Sequence, residues 1–247
     1  MEGQEIIYFV FIETQDMRIG ILASSGGSAF IETWKILCKY SSTKHDYFVF
    51  TDRECGIENF CRNNDIPYKR ITYVDRKRFS IEANEYIYSI GGVDVIFLYF
   101  LRILTKDLFM KYPCLNIHPA LLPAFKGINA VEQFIQSGAK FMGATLHLID
   151  EGIDTGAIIA QIQTPMPHQT NLEKASKVSF LQKVYLTLIG IELLEKNYIA
   201  FANDFSSFEI IEALPYSLSA NPILQNSNFV EGFLELQQHE NTKIINS

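Results

Sequence analysis

Asn116, His118 and Asp154 are the residues of this 247-residue chain whose types and spacing could do chemistry. Moving an acyl carbon onto an amine requires a neutral donor for a developing oxyanion, a carrier for the proton, and an anion that orients and charges that carrier. An amide, an imidazole and a carboxylate supply those three. Asn116 and His118 lie two apart at the end of the apolar run Cys114 to Ile117, so on a strand their side chains leave the same face. Pro119 and Pro123 bracket the turn that follows and restrict its backbone. Asp154 comes 36 positions after His118, in the glycine-flanked stretch Asp150-Glu151-Gly152-Ile153-Asp154-Thr155-Gly156. A lone histidine would read as a satisfied core residue; with an amide two positions before it and a loop carboxylate, the three read as one catalytic site in two pieces. The chemistry needs no metal and no covalent intermediate.

The elements that must hold these residues alternate short apolar runs with amphipathic stretches, the pattern of parallel βαβ units. Strands are expected at Arg18 to Ala23, Tyr47 to Phe50, Lys69 to Tyr73, Val93 to Phe100, Cys114 to His118, Phe141 to Ile149 and Ala157 to Gln163. Helices are expected at Gly56 to Asn63, Phe79 to Ile90, Asn129 to Ser137 and Asn171 to Lys196. A further helix after Ser24-Ser25-Gly26-Gly27-Ser28 carries Phe30, Ile31, Trp34, Leu37 and Cys38 on one face. The fold class is therefore α/β, a doubly wound, mostly parallel sheet. The glycine pair at a strand-to-helix junction allows backbone N–H groups to face an anion at the helix start, which makes Ser25, Gly26, Gly27 and Ser28 candidate substrate ligands.

Composition narrows the partners. With 48% hydrophobic residues, 19 Phe and 12 Tyr, the chain is built for a real core. Its net charge of −7 offers no electrostatic footprint for nucleic acid or an anionic membrane. Cys38, Cys55, Cys61 and Cys114 have no CxxC or metal-ligand spacing and read as reduced, mostly buried thiols. The acidic start Met1 to Glu5 and the short apolar run Ile6 to Ile12 fit neither a signal peptide nor a membrane span. A cytoplasmic protein, monomer or homodimer, is expected. The core pattern starts at 17, which leaves 1–16 as an N-terminal extension that could also pair as an edge strand. Residues 17–196 form the catalytic domain and 197–247 a C-terminal extension, with a helix from about Phe229 to His239.

The motifs Asn116-Ile117-His118-Pro119-Ala120-Leu121-Leu122-Pro123, Phe125-Lys126-Gly127, Gly143-Ala144-Thr145-Leu146-His147 and Asp150 to Gln161 resemble the core of the folate-dependent formyltransferases. The resemblance runs from about Arg18 to Lys196 and is strongest toward the branch that formylates glycinamide ribonucleotide in purine synthesis. It implies 10-formyltetrahydrofolate as co-substrate and a small amine, phosphorylated, as acceptor. Arg102, Ile103 and Leu104, with the loop of Asp150, Glu151, Gly152 and Ile153, become the walls of the pterin pocket. Ser25 to Ser28 and Arg76 become the phosphate site, and Pro119 joins the acceptor side. His147 is expected to prop the Asp150 to Asp154 loop, and Gly127 to serve its own turn. Two departures fall on the acceptor side. Ser25-Gly26-Gly27-Ser28-Ala29 stands where the family has Gly-Asn-Gly-Ser-Asn, and Gln182 where the family tends to have a glutamate gripping ribose. Formylation of a nucleotide-linked amino sugar, in surface-polysaccharide synthesis, is the alternative that the substituted loop and the C-terminal extension favour.

Overall fold

The structure, a computed structural model, describes residues 9–10 and 16–245, with side chains from 16 to 241. In chain order its elements are β1 (Phe9–Val10), β2 (Arg18–Ala23), α1 (Ser28–Tyr40), β3 (Asp46–Thr51), α2 (Gly56–Asn63), β4 (Tyr68–Arg70), α3 (Arg76–Ser89), β5 (Val95–Tyr99) and α4 (Lys106–Phe109). There follow β6 (Cys114–His118), α5 (Ala130–Ser137), β7 (Phe141–Leu148), β8 (Ile158–Pro165), α6 (Leu172–Glu195), β9 (Ile199–Ala202), β10 (Phe208–Ile210), β11 (Ala220–Asn221) and α7 (Ser227–Ile245).

Eight strands form the main sheet in the order β11-β8-β7-β6-β5-β2-β3-β4. β2 to β6 are mutually parallel, whereas β7, β8 and β11 each run antiparallel to the strand before them in that half of the sheet. The strands expected from apolar runs are present, and β6 is the strand that delivers Asn116 and His118. The chain order reverses between β2 and β5, so the loops after β2, β5 and β6 lie side by side at one edge of the sheet, where α/β folds bind their ligands.

Apolar side chains leave the sheet on both faces, as burial on two sides demands. Ile19, Ile21, Phe97, Leu115, Ile117, Leu146 and Leu148 meet α1 and α6 on one face. Leu22, Phe50, Ile96, Leu98 and Cys114 meet the elements around Phe79, Ile87 and Leu108 on the other. The buried stripe of α1 is Ala29, Phe30, Thr33, Ile36 and Leu37, not the expected set ending in Cys38, which is exposed. The cause lies in the tail. A side chain on Gly232 of α7 would strike Ile36 and Tyr40, so α7 packs against that side of α1 and leaves Cys38 to solvent. Cys61 and Cys114 are buried as expected, and Cys55 is half-buried.

The C-terminal segment is longer in helix than its sequence suggested and is fastened at several points. Phe229 is fully buried, and Phe233 stacks edge-on against Tyr185 with ring centroids 5.0 Å apart. Leu224 N–H donates to the Tyr185 hydroxyl and Gln225 N–H to the Glu192 carboxylate, at 3.1 and 2.8 Å. β1 does pair as an edge strand, though with β9 in a separate three-stranded sheet β1-β9-β10. The side chains of the run Ile6 to Ile12 lie outside the described residues.

Candidate active site

β6 and β7 are antiparallel neighbours in which Asn116 pairs with His147 and His118 with Thr145. Their partners Leu115, Ile117, Leu146 and Leu148 point into the core, so by the alternation of a strand all four polar residues share the opposite face. Asn116 Nδ2 lies 3.1 Å from His147 Nε2. The other His147 nitrogen, Nδ1, lies 2.7 Å from the Leu148 carbonyl, an obligate acceptor. Nδ1 therefore carries the hydrogen, Nε2 is the acceptor, and one N–H of Asn116 is fixed upon it. Burial pushes the His147 pKa down, outweighing the Leu148 hydrogen bond and the charge of Asp154, in keeping with a neutral ring. The second N–H of Asn116 has no partner among the described residues.

His118, 4% exposed, has an acceptor at each ring nitrogen. Nδ1 is 3.2 Å from Asp154 Oδ2 and Nε2 is 2.7 Å from the Phe125 carbonyl. A ring facing a carboxylate on one side and a carbonyl on the other satisfies both only with two N–H groups. Asp154 also accepts from the Gly127 N–H at 2.7 Å, and its Oδ1 lies 3.7 Å from His147 Nε2. Phe125 and Gly127 thus straddle the His118–Asp154 pair. Phe125, Gly127 and Asp154 all have positive φ, at 52°, 82° and 51°; at Gly127 the absence of Cβ makes that conformation cheap. The loop that carries Asp154 is closed upon itself: Asp150 accepts from Gly152 N–H and from the Thr155 hydroxyl, at 3.0 and 2.7 Å.

The turn after His118 is held from below. Thr145 Oγ1 donates to the Ala120 carbonyl at 2.7 Å and accepts from Leu122 N–H at 3.0 Å. Gln161 Nε2 on β8 reaches both Thr145 Oγ1 and the Leu122 carbonyl at 3.0 Å. The Leu122–Pro123 peptide is cis.

Of the expected donor-pocket walls, Leu104 is buried in the core, while Ile103 is 47% and Ile153 56% exposed. The Arg102 side chain turns aside: Nε donates to Asp52 at 3.1 Å, and the guanidinium lies 4.6 Å over the Tyr73 ring. Burial alone would raise the Asp52 pKa, but hydrogen bonds from Arg53 and Arg102 hold it below the usual carboxylate range. At the expected acceptor side, Gly27 has φ of 66° and caps α1 with no side-chain hydrogen bond. A Cβ there would meet Ile57 Cδ1 at 2.5 Å, so only glycine fits. Arg76 opens α3, is exposed, and has no ion-pair partner among the described residues. Pro119 is half-buried directly beyond His118.

The sequence pattern of the formyl transferase family matches residues 17–186. The chain belongs to the formyl transferase family. Among curated relatives, it is 35% identical over 171 residues to the trifunctional purine biosynthetic protein adenosine-3 of Chironomus tentans, covering 65% of this chain and 12% of that one. It is 30% identical over 193 residues to the chloroplastic phosphoribosylglycinamide formyltransferase of Arabidopsis thaliana, covering 72% and 66%. Among solved structures, the phosphoribosylglycinamide formyltransferase of Anaplasma phagocytophilum superposes with a TM-score of 0.68 at 26% identity, covering 80% of this chain and 95% of that one. The chain thus spans less than two thirds of the length of either curated relative.

As a formyl transferase family member, this chain departs from expectation at two positions. Gln182, 2% exposed, donates through Nε2 to the Met142 carbonyl and to Thr164 Oγ1, at 3.1 and 3.0 Å. A carboxylate there would set an acceptor against the Met142 carbonyl; the amide donates to it and ties α6 to the β7–β8 hairpin, while its Oε1 is buried with no hydrogen-bond partner among the described residues. His147 touches Asn116 more closely than the Asp154 loop it was expected to prop. Thr145, Gln161 and Phe125 were not singled out in the sequence. Their signal was present in part: Thr145 and His147 are two apart, as Asn116 and His118 are, and an antiparallel hairpin brings such pairs face to face.

Proposed function

We propose that this chain transfers a formyl group from 10-formyltetrahydrofolate to the primary amine of glycinamide ribonucleotide, a step of purine synthesis. The observation that carries this reading is the Asn116–His118–Asp154 cluster, whose hydrogen bonds leave one Asn116 N–H without a partner among the described residues. Asn116 donates that N–H to the oxygen of the formyl group as it becomes an oxyanion. His118 donates its Nε2 hydrogen to the same oxygen, which takes the place of the Phe125 carbonyl. Asp154 holds His118 through Nδ1 and draws the proton from the attacking amine as the N–C bond forms. The proton passes to N10 as the C–N10 bond breaks, so charge and atoms balance.

The donor side suits a flat, apolar heterocycle. Ile103 and Ile153 offer exposed aliphatic surface, and the backbone of Arg102 to Leu104 provides polar edges without a competing side chain. The acceptor side suits an anion. The loop after β2 and the end of β6 are two strands apart, roughly 10 Å, a span that suits a phosphate on the uncapped start of α1 with the amine at His118.

The test is a steady-state assay of tetrahydrofolate release from 10-formyltetrahydrofolate. Turnover is expected only when glycinamide ribonucleotide is added. Formate released without any amine would make the chain a hydrolase, and turnover with a nucleotide-linked amino sugar alone would replace the acceptor while leaving the chemistry in place.

A further inference from the structure

Asp52 follows the last residue of β3, its side chain is out of reach of solvent, and it gathers contacts from segments that the sequence keeps apart. Arg53 donates to its carboxylate through Nε and Nη2, at 3.1 and 2.7 Å, and Arg102 through Nε at 3.1 Å. Its backbone carbonyl accepts from Tyr73 N–H at 3.3 Å, and the Tyr73 ring lies 4.6 Å under the Arg102 guanidinium. Burial opposes the charge of Asp52, but hydrogen bonds from Arg53 and Arg102, with help from Ser24, hold its pKa below the ordinary value. The anion therefore persists near neutrality. Ser24 Oγ also accepts from Leu101 N–H, at 3.4 Å.

Two of these contacts, those of Arg102 and Leu101, fall on one short stretch of chain. Leu101 to Ile103 have left β5 and lie at the surface, Leu101 79% and Ile103 47% exposed. The far end of that stretch is pinned separately: Leu104 is buried among the core residues of that face, and Thr105 N–H donates to the Ser80 hydroxyl at 3.0 Å. Exposed segments with few apolar contacts open locally at little cost, so at the near end the polar contacts to Asp52 and Ser24 set the backbone.

We propose that Asp52 is a positioning residue for the folate donor: by holding Arg102 it aims the backbone of Arg102 and Ile103 at the pterin ring without touching the ligand itself. This rests on the donor half of the proposed function and is independent of which amine is formylated. The bidentate contact with Arg53 serves a different end, since it joins neighbours in sequence and ties no second segment to the site.

The test measures the affinity for 10-formyltetrahydrofolate by calorimetry with no amine present, and steady-state constants with glycinamide ribonucleotide. Asp52→Asn keeps the volume and loses the charge. It should weaken donor binding, and raise the donor KM, roughly fivefold to thirtyfold, the worth of one charge-assisted hydrogen bond, with kcat and the acceptor KM within about twofold. Arg53→Met removes two of the three arginine bonds to Asp52 but none from the donor segment, and should leave donor affinity within about twofold. A merely structural ion pair predicts the reverse order. The double variant Asp52→Asn/Arg102→Met should bind the folate as Arg102→Met alone does. Donor affinity unchanged in Asp52→Asn, an equal loss in Arg53→Met, or multiplying effects in the double variant each overturn the inference. If Asp52→Asn fails to fold, Arg102→Met, at a partly exposed side chain, decides: unchanged donor affinity there overturns it too. A parent that ignores glycinamide ribonucleotide but binds the folate refutes only the proposed acceptor, and the calorimetric comparison still judges Asp52. A parent that binds no folate overturns the inference together with the donor it rests on.

Discussion

Removing His147 should cost this protein much of what Asn116 contributes, and should cost nothing more once Asn116 is gone. His147 Nε2 accepts one N–H of Asn116 at 3.1 Å, and its own tautomer is fixed by the Leu148 carbonyl. An oxyanion donor is worth on the order of 3 kcal/mol, about a hundredfold or more in turnover, so Asn116→Ala should lose about that. In His147→Ala the amide keeps its chemistry but loses the acceptor that aims it. A neutral hydrogen bond contributes about 1 kcal/mol net, and misaim of the donor adds to that, so kcat should fall roughly tenfold to fiftyfold. The double variant should resemble Asn116→Ala alone, giving a coupling of roughly 1–2 kcal/mol in the cycle. Single-turnover rates at saturating folate, with folate affinity measured separately, provide the readout. Multiplying effects, near a thousandfold in the double variant, would refute the reasoning and point to Asp154, 3.7 Å away, as the partner through which His147 acts.

Phe229→Ala should lower stability by about 3–5 kcal/mol, or roughly 10 °C in Tm for a chain of this size, while leaving the donor KM unchanged; calorimetry alongside kinetics tests whether the tail is structural. The pair Glu58–Arg70 gives a pH signature. Hydrogen bonds from Arg70 and Thr51 hold the Glu58 pKa below the usual range despite burial, so its contribution is full above the unfolded carboxylate pKa and fades as pH falls through the lower folded value. Arg70→Met should lower stability near neutrality, by less than loss of a fully buried pair because Arg70 is partly exposed. The deficit should shrink in acid; a constant deficit in denaturant titrations from pH 7 to 3 would contradict this account.

That Asn116, His118 and Asp154 come together, and the strand that carries two of them, were legible because their spacing is local: two residues on one strand, one in a glycine-flanked loop. The parallel half of the sheet was legible from apolar runs. What the sequence hid was pairing between distant elements. That Asn116 faces His147 depends on the register of β6 against β7, and a slip of one residue would have put Leu146 or Leu148 there. The His118–Phe125 contact uses a backbone carbonyl, which leaves no trace in residue type. Cys38 was misjudged for a similar reason: α7, nearly two hundred positions away, decides which side of α1 is covered. The short strands β9, β10 and β11 were missed because two to four residues carry too little periodicity to register.

The two halves of the cleft are made of different material. Asn116 and His118 project from a central strand, and the side chains that brace them come from the interior of the next two. The proposed acceptor side consists instead of a glycine loop and the first residue of α3, both surface connections. Substitutions in such segments disturb little beyond themselves, whereas any change to the strand face alters several partners at once. On the proposed function, the largely exposed loop Ser25 to Ser28 and Arg76 can change with the choice of amine while the acyl chemistry stays put, whereas Ala29 and Gln182, both buried, are held by their neighbours.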